Sequence, residues 1–191
     1  MNTVSSTHWF LRLPLHHLAG PLYVLVYAIQ HWVVTPLEHA LIGPGALTAS
    51  LLFLPAGIKV VTFYLCRWQS VPSLIVGGLV CSYWFYLPGQ PLVPILVVSV
   101  GSALALPILY EVACRFFDID LFKGWSGSPH WLALLSLVGL SGVLNGWALS
   151  YAWDFGVSPE FLARVAAGDI LGVWVLMLAA MFVLRHLRLR A

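Results

Sequence analysis

Long apolar segments with almost no charged side chains follow one another along the chain. A helix needs about 20 mainly apolar residues to cross a hydrocarbon core of about 30 Å. Charged residues make up only 8% of the sequence, whereas soluble domains carry roughly 25%. We therefore predict an all-α, polytopic transmembrane bundle of six spans that forms one domain over residues 1–191. The predicted spans are Leu18–Val34, Ala46–Cys66, Pro72–Leu87, Leu92–Cys114, Trp131–Tyr151 and Val165–Leu184.

The distribution of Lys and Arg predicts how this bundle is oriented. Cytoplasmic loops of membrane proteins are enriched in these two residues. With six spans, the residues that fall on one side are Arg12, Arg67, Arg115, Lys123, Arg185, Arg188 and Arg190. Only Arg164 falls on the opposite side. We therefore expect a multi-pass protein of a bacterial inner membrane, surrounded by lipid, with both termini in the cytoplasm.

The sequence carries no pattern typical of nucleic-acid binding, catalysis or cofactor binding. The net charge is only +2, and the C-terminal stretch RHLRLR is typical of a stop at the inner leaflet, so we expect no nucleic-acid partner. No nucleophile elbow, zinc-hydrolase helix or phosphate-binding loop occurs. His31, Thr35 and Glu38 share a helix face, but two turns, or about 10 Å, separate the imidazole from the carboxylate. We therefore predict a non-enzymatic protein without a metal or another cofactor.

Lys59 is the least expected residue, because it lies in the apolar stretch FLPAGIK near the middle of the second predicted span. A charged side chain at that depth costs about 2.5–3.5 kcal/mol, so it should face the protein interior. Pro55 and Thr62 share its helix face by a spacing of three to four residues. Pro55 frees the carbonyl of Leu51, and Gly57 lets another backbone come close. We therefore predict a kinked, locally opened helix with an ammonium group beside the opening.

Two carboxylates in later spans are candidate partners for Lys59. Glu111 follows Pro107 by one turn in the fourth span, which repeats the order of proline and charge with the opposite sign. We place Glu111 about 9 Å closer to the cytoplasm than Lys59, and we predict that the two form a pair, directly or through water. Asp169 competes for this role. The sequence Ser158–Glu160 predicts the start of the last helix, which leaves Asp169 too far along it to act as a cap.

Asn145 lies midway along the fifth predicted span, beside a stripe of small residues. Gly142, Gly146 and Ser150 recur every four residues, which is typical of close contact between helices. We interpret Asn145 as a group that satisfies a neighbouring backbone or lines a cavity. Three roles remain open for the buried polar groups: an ion-pair network that fixes helix packing, a site for a ligand or ion, and a path for protons.

Two short motifs resemble the MASE-type membrane-associated sensor domains, polytopic modules at the front of bacterial histidine kinases and diguanylate cyclases. That family has a Pro-x-Gly element in an early span, which corresponds here to Pro55 and Gly57. It also has a Gly-Asp-x-x-Gly element in a late span, which corresponds to Gly168, Asp169 and Gly172. The resemblance implies a helical membrane module with a role in signal transduction.

The resemblance covers roughly residues Ala46 to Leu184, with fewer predicted spans than the family and no cytoplasmic output domain. It implies a free-standing sensing module that recognises a small ligand or a partner within the bilayer. Such a module would signal through a separate membrane or cytoplasmic protein. The residues that we expect to form its polar core and opening are Lys59, Glu111, Asp169, Asn145, Pro55 and Gly57.

Two other functions remain open at this point. The first is a small transporter, or the substrate-binding subunit of one, because broken helices with charges at the bilayer midplane suit transport. The second is an assembly or scaffolding subunit of a membrane complex, in which the charges would only fix the architecture.

Overall fold

The computed structural model describes residues 15–43, 49–117, 128–154 and 156–188. These residues are almost entirely helical and contain no β-strand, which confirms the predicted all-α class. The helices are α1 (Leu15–Ile29), α2 (Thr35–Ile42), α3 (Leu54–Cys66), α4 (Val71–Cys81), α5 (Leu92–Phe117), α6 (Ser128–Trp153) and α7 (Pro159–Arg188).

Short π-helical and 3₁₀ turns connect or lengthen these helices, so that the helices group into six segments. A π-helical turn at Gln30–Val34 runs α1 into α2 without a break, so the two helices form one segment. A 3₁₀ turn at Arg67–Ser70 leads from α3 into α4, and a second π-helical turn at Ser82–Tyr86 lengthens α4. Each predicted span therefore has a helical counterpart in the structure.

Four helical stretches are long and apolar enough to cross a membrane: His16–Ile42, Leu92–Phe116, Leu132–Trp153 and Pro159–Phe182. This finding supports the prediction of a membrane protein with transmembrane helices. The helices α3 and α4 are shorter, at 13 and 11 residues. A helix of that length rises at most about 20 Å, so neither alone would cross a hydrocarbon core of about 30 Å.

The six segments pack as a ring. Going around it, α1 contacts α4, then α5, α6, α7 and α3 follow, and α3 contacts α1 again. The order in space departs from the order in sequence because α3 lies between the first and last helices. This position matters because α3 carries Lys59.

One end of the ring is filled by apolar side chains. Phe63 of α3 contacts the ring of Tyr110 on α5 edge-on, with 5.4 Å between their centroids. Val173 of α7 belongs to the same buried cluster. Phe63 lies one turn beyond Lys59 along α3, so the bundle is solid on the predicted cytoplasmic side of the lysine.

Small residues bring the helix backbones close together, as their spacing predicts. The Gly20 N–H donates a hydrogen bond of 2.8 Å to Ser73 Oγ, which joins α1 to α4. A Cβ atom on Gly77 would lie 2.8 Å from the carbonyl oxygen of Gly20. On α6, a Cβ atom on Gly142 would lie 2.8 Å from the Cα atom of Ala166 on α7. Because protein interiors are close-packed, these contacts leave no room for larger residues.

The second predicted span, Ala46–Cys66, differs most from expectation. Helix α3 begins only at Leu54, and residues 49–53 before it are not helical. Pro55 therefore lies in the first turn of α3, where a missing N–H removes no helical hydrogen bond. The predicted proline kink is wrong, because Pro55 starts a helix rather than bending one. We call residues 49–53 the unwound segment; residues 46–48 of this span lie outside the described part of the chain.

Candidate ligand-binding site

The unwound segment is held by hydrogen bonds from side chains and from α7. The Phe53 N–H donates to the Gly168 carbonyl over 3.0 Å. The Leu52 N–H donates to Glu38 Oε1 over 2.8 Å, and the Leu54 N–H at the start of α3 donates to Gln30 Oε1 over 3.1 Å. Non-helical backbone at membrane depth is tolerated only where its polar groups have protein partners or face a water-filled cavity. These bonds supply such partners.

Glu38 and Gln30 also meet through the side chain of Ser50. The Ser50 hydroxyl donates to Glu38 Oε2 over 2.7 Å and accepts a bond of 2.9 Å from Gln30 Nε2. Both carboxylate oxygens of Glu38 are therefore used to hold residues of the unwound segment. The sequence offered Glu38 only as a weak metal ligand, and the structure assigns it a role in backbone support.

Two glycines of α7 leave room for this segment. A Cβ atom on Gly168 would collide with the carbonyl of Ser50, and one on Gly172 would collide with the carbonyl of Phe53. The same side of α7 receives Gly57, whose added Cβ would lie 3.0 Å from the Gly172 carbonyl oxygen. The predicted close approach of another backbone at Gly57 is therefore confirmed. Pro55 and Gly57 are both buried and position the start of α3 rather than line the site.

A cavity of about 390 Å³ lies inside the ring. All six segments contribute to its wall, from Glu38 and Trp153 at one end to Lys59 and Ser102 at the other. Its volume falls within the range of small-molecule sites, which is about 300–1,000 Å³. The expected polar core therefore surrounds a space and is not filled by its own side chains.

Lys59 reaches this cavity from α3 and is 7% exposed, so its predicted interior orientation is confirmed. The ammonium group donates a hydrogen bond to Ser102 Oγ on α5. It also lies 5.6 Å from the centroid of the Tyr23 ring, at a distance typical of a cation–π contact. Within the described residues, no carboxylate oxygen lies within 4.0 Å of Lys59 Nζ.

Glu111 does not pair with Lys59, contrary to our prediction. Its Oε1 atom accepts a hydrogen bond of 3.1 Å from the Trp68 indole in the turn after α3. Ser102 is the α5 residue level with Lys59, and Glu111 lies nine residues further along, about 13 Å away at helical rise. The predicted depth difference was too small, because the relative shift of two helices along their axes cannot be read from either helix alone.

Asp169 lines the same cavity as Lys59, as does Glu38. Helix α7 begins at Pro159, and Ser158 Oγ accepts a hydrogen bond of 3.1 Å from the Phe161 N–H, as the sequence predicts for the helix start. Asp169 consequently lies well inside α7, and it is 3% exposed. Its charge is close enough to attract the Lys59 ammonium electrostatically without a direct ion pair.

Asn145 of α6 completes the polar part of the cavity. Its side chain is 9% exposed and lies beside Asp169, while the small Gly142 one turn earlier leaves space beside the carboxylate. The Asn145 Oδ1 atom is buried and has no hydrogen-bond partner among the described residues. A buried acceptor without a partner is unfavourable by about 1–3 kcal/mol. An unsatisfied polar atom therefore lies within the cavity wall, next to Asp169.

Aromatic side chains form another part of the wall. Tyr27 lies between Phe53 and Phe85, with centroid distances of 6.0 and 5.5 Å. His31 contacts the same Phe85 ring at 5.2 Å. These rings give the cavity an apolar, polarisable surface next to its charged groups, a combination typical of sites for small organic molecules.

Sequence reasoning missed several residues of this site. Gln30 and Ser102 were not selected, although each is a polar residue within an otherwise apolar stretch. Ser99 was also missed, and its hydroxyl donates a hydrogen bond of 2.9 Å to Ser82 on α4. The spacing of Ser99 and Ser102 places both on one face of α5, a signal that could have marked this face as interior.

Comparisons with family models, with curated proteins and with solved structures give no match to this chain. The geometry of the cavity and the chemistry of its wall are therefore the basis for assigning a function.

Proposed function

We propose that this protein is a non-enzymatic integral membrane module that binds a small ligand within the bilayer and signals through a separate protein. The observation that carries the proposal is the placement of Lys59 and Asp169 in one cavity without a direct ion pair. Isolated charges are costly inside a membrane and mark functional sites by default. A purely architectural pair would be expected to close into direct contact.

The position of the unwound segment supports a sensing role. Phe53 lines the cavity, and its N–H is bonded to α7 next to Asp169. A ligand that enters the cavity would therefore contact backbone that lacks the cooperative hydrogen bonding of a helix. Such a segment can shift between two arrangements, and the shift would move α3 relative to α7. A separate membrane or cytoplasmic protein that contacts these helices would read the change.

The resemblance to MASE-type sensor domains fits this proposal. The two motif elements on which it rests are distant in sequence, yet Gly57 of the first lies against Gly172 of the second. Lys59 and Asp169, which flank this contact, both face the cavity. Membership of that family of sensors is part of the proposal.

The ring also favours the six-span topology. All six segments take part in it. Helix α3 alone is too short to cross a hydrocarbon core, but the unwound segment before it extends the second segment to residues 49–66. Six alternating segments put both termini on the side rich in Lys and Arg, which would be the cytoplasmic face of a bacterial inner membrane. The exposed Asp154 and Glu160 would then lie on the outer face.

A small transporter is the second candidate, and the unwound segment favours it as well. Discontinuous helices with charges near the bilayer midplane are typical of substrate sites in secondary transporters. Uptake of the bound molecule into proteoliposomes would support transport. Binding without uptake would support sensing.

The test of the proposed function is native mass spectrometry of the full chain, purified in a mild detergent. We expect a small molecule to accompany the wild-type protein and to be lost from Lys59→Met. A matched control is Glu160→Gln, which removes a surface charge from α7, where Glu160 contacts Arg164 at 2.6 Å. Retention of the molecule by Lys59→Met, or its equal loss from the control, would contradict a site at Lys59.

A further inference from the structure

The geometry points to a zwitterion of the amino-acid type, with an apolar or aromatic side chain, as the ligand of this cavity. This inference rests on the proposed function and specifies the ligand class. It is carried by the buried ammonium of Lys59 and the buried carboxylate of Asp169, which line one cavity without a direct ion pair, together with the aromatic rings of the same wall.

Charged groups of both signs line the cavity and disfavour ligands with a single charge. An anion would meet Lys59 favourably but would be repelled by Asp169 and Glu38, and a cation would meet the carboxylates but would leave the Lys59 ammonium without a negatively charged partner. A neutral ligand would remove water from both groups and compensate neither, which is unfavourable for buried charges. A molecule with a carboxylate at one end and an ammonium at the other satisfies both groups at once.

The hydrogen-bonding groups fit a ligand whose carboxylate faces Lys59 and whose ammonium faces Asp169. Lys59 carries three N–H donors, and one of them is used by Ser102. The remaining donors can bind a ligand carboxylate. At the other end, the Asp169 carboxylate is an acceptor. A ligand ammonium, with three donors of its own, matches the two oxygens of this carboxylate.

The aromatic part of the cavity wall indicates the side chain of the ligand. Tyr27, Phe53 and Phe85 form a cluster of rings beside the charged groups. Glu38 also lines the cavity, and its charged carboxylate accepts hydrogen bonds from Ser50 and Leu52 and so holds the unwound segment. The ligand side chain would meet the cluster of rings, which favours an apolar or aromatic group.

The experiment compares ligands that differ only in charge, using the wild-type full chain in detergent. The probes are L-phenylalanine with 3-phenylpropanoate and 2-phenylethylamine, and L-leucine with 4-methylpentanoate and 3-methylbutylamine. Isothermal titration calorimetry gives the affinities. We expect at least one amino acid to bind about 10- to 100-fold more tightly than either analogue, because each analogue leaves one buried charged group unpaired.

Two variants test which end binds which group. Asp169→Asn should lose the preference for the amino acid over its carboxylate analogue, and Lys59→Met should lose the preference over its amine analogue. A purely structural role of these residues would lower all affinities alike. If a variant does not fold, the comparison of the six probes on the wild-type protein still decides the question.

The outcomes separate this inference from the proposed function. If neither amino acid binds, or if a singly charged analogue binds equally well, the zwitterion is excluded. If native mass spectrometry then still shows a bound molecule that is lost from Lys59→Met, the proposed binding function stands, but the ligand is not a zwitterion of this type. If no probe binds and no molecule accompanies the protein, both proposals fail.

Discussion

The backbone N–H of Phe53 donates a hydrogen bond of 3.0 Å to the carbonyl of Gly168, which ties the unwound segment to α7. This bond joins chain positions that are far apart in sequence, and it lies one residue from Asp169. The close approach of the two backbones explains why Gly168 and Gly172 of α7 have no side chain, since a Cβ atom on either would collide with a carbonyl of the unwound segment. The candidate site is built around this junction.

Gly172→Ala tests the junction directly. The new methyl group would collide with the Phe53 carbonyl, so the backbone would have to move. Overpacking of this kind lowers the free energy of unfolding by about 1–3 kcal/mol. We expect a lower midpoint of thermal unfolding in detergent, measured by circular dichroism.

Gly101→Ala is the matched control for that change. Gly101 also lies within a helix, but an added Cβ atom would contact nothing within 4 Å. Alanine is favoured over glycine in helices by about 1 kcal/mol, so this variant should be as stable as the wild type or slightly more stable. Equal stability of the Gly172 and Gly101 variants would contradict the described contact.

Glu38→Ala should open the unwound segment. The change removes the acceptor of the Leu52 N–H, which leaves that partly buried group unpaired, and one acceptor of the Ser50 hydroxyl, which keeps only the Leu52 carbonyl at 3.1 Å. We expect the free energy of unfolding to fall by about 1–3 kcal/mol. Hydrogen exchange measured by mass spectrometry should become faster in peptides that cover residues 50–54.

Glu160→Ala serves as the control, since an exposed ion pair contributes about 0–1 kcal/mol. Its hydrogen exchange at residues 50–54 should match the wild type. Unchanged exchange in Glu38→Ala would show that other contacts hold the segment.

A double-mutant cycle can identify the electrostatic partner of Lys59. Lys59→Met and Asp169→Asn should each destabilise the protein, and the double variant should recover part of the loss, with a coupling energy of about 0.5–3 kcal/mol. Coupling arises because removing one buried charge leaves the other uncompensated. Thermal or denaturant unfolding of the four proteins gives the coupling.

The same cycle with Glu111→Gln should be additive within about 0.5 kcal/mol, because Glu111 binds Trp68 and lies about 13 Å along α5 from the Lys59 contact. A larger coupling of Lys59 to Glu111 than to Asp169 would overturn the arrangement in the structure and restore the pair predicted from the sequence.

The proposed topology predicts which turns are accessible from each side of the membrane. In a background with the native cysteines replaced by serine, Gln69→Cys should be labelled by an impermeant maleimide only from the cytoplasmic side. Asp154→Cys should be labelled only from the outside. Both positions are exposed, so lack of access would not result from burial. Labelling of both from the same side would exclude the six-span arrangement.

Much of this protein follows from local sequence. Hydropathy locates a helix in each of six apolar segments, because a helix satisfies the polar groups of its own backbone. The unwound segment is the exception, since its N–H groups bond to Glu38 and Gly168 instead. The helix start at Ser158 and the interior orientation of Lys59 also depend only on nearby residues. Polar groups on one helix face are directed inward whatever the neighbouring helices are.

The partner of Lys59 and the role of Pro55 were decided by tertiary structure. Whether Glu111 or Asp169 lies level with Lys59 depends on how far α5 and α7 are shifted along their axes, and that shift is set by packing of the whole ring. Whether Pro55 kinks a helix or starts one depends on whether the preceding backbone finds other hydrogen-bond partners. Gln30 and Glu38 provide those partners from a distant part of the chain, and no local pattern of residues encodes such an encounter.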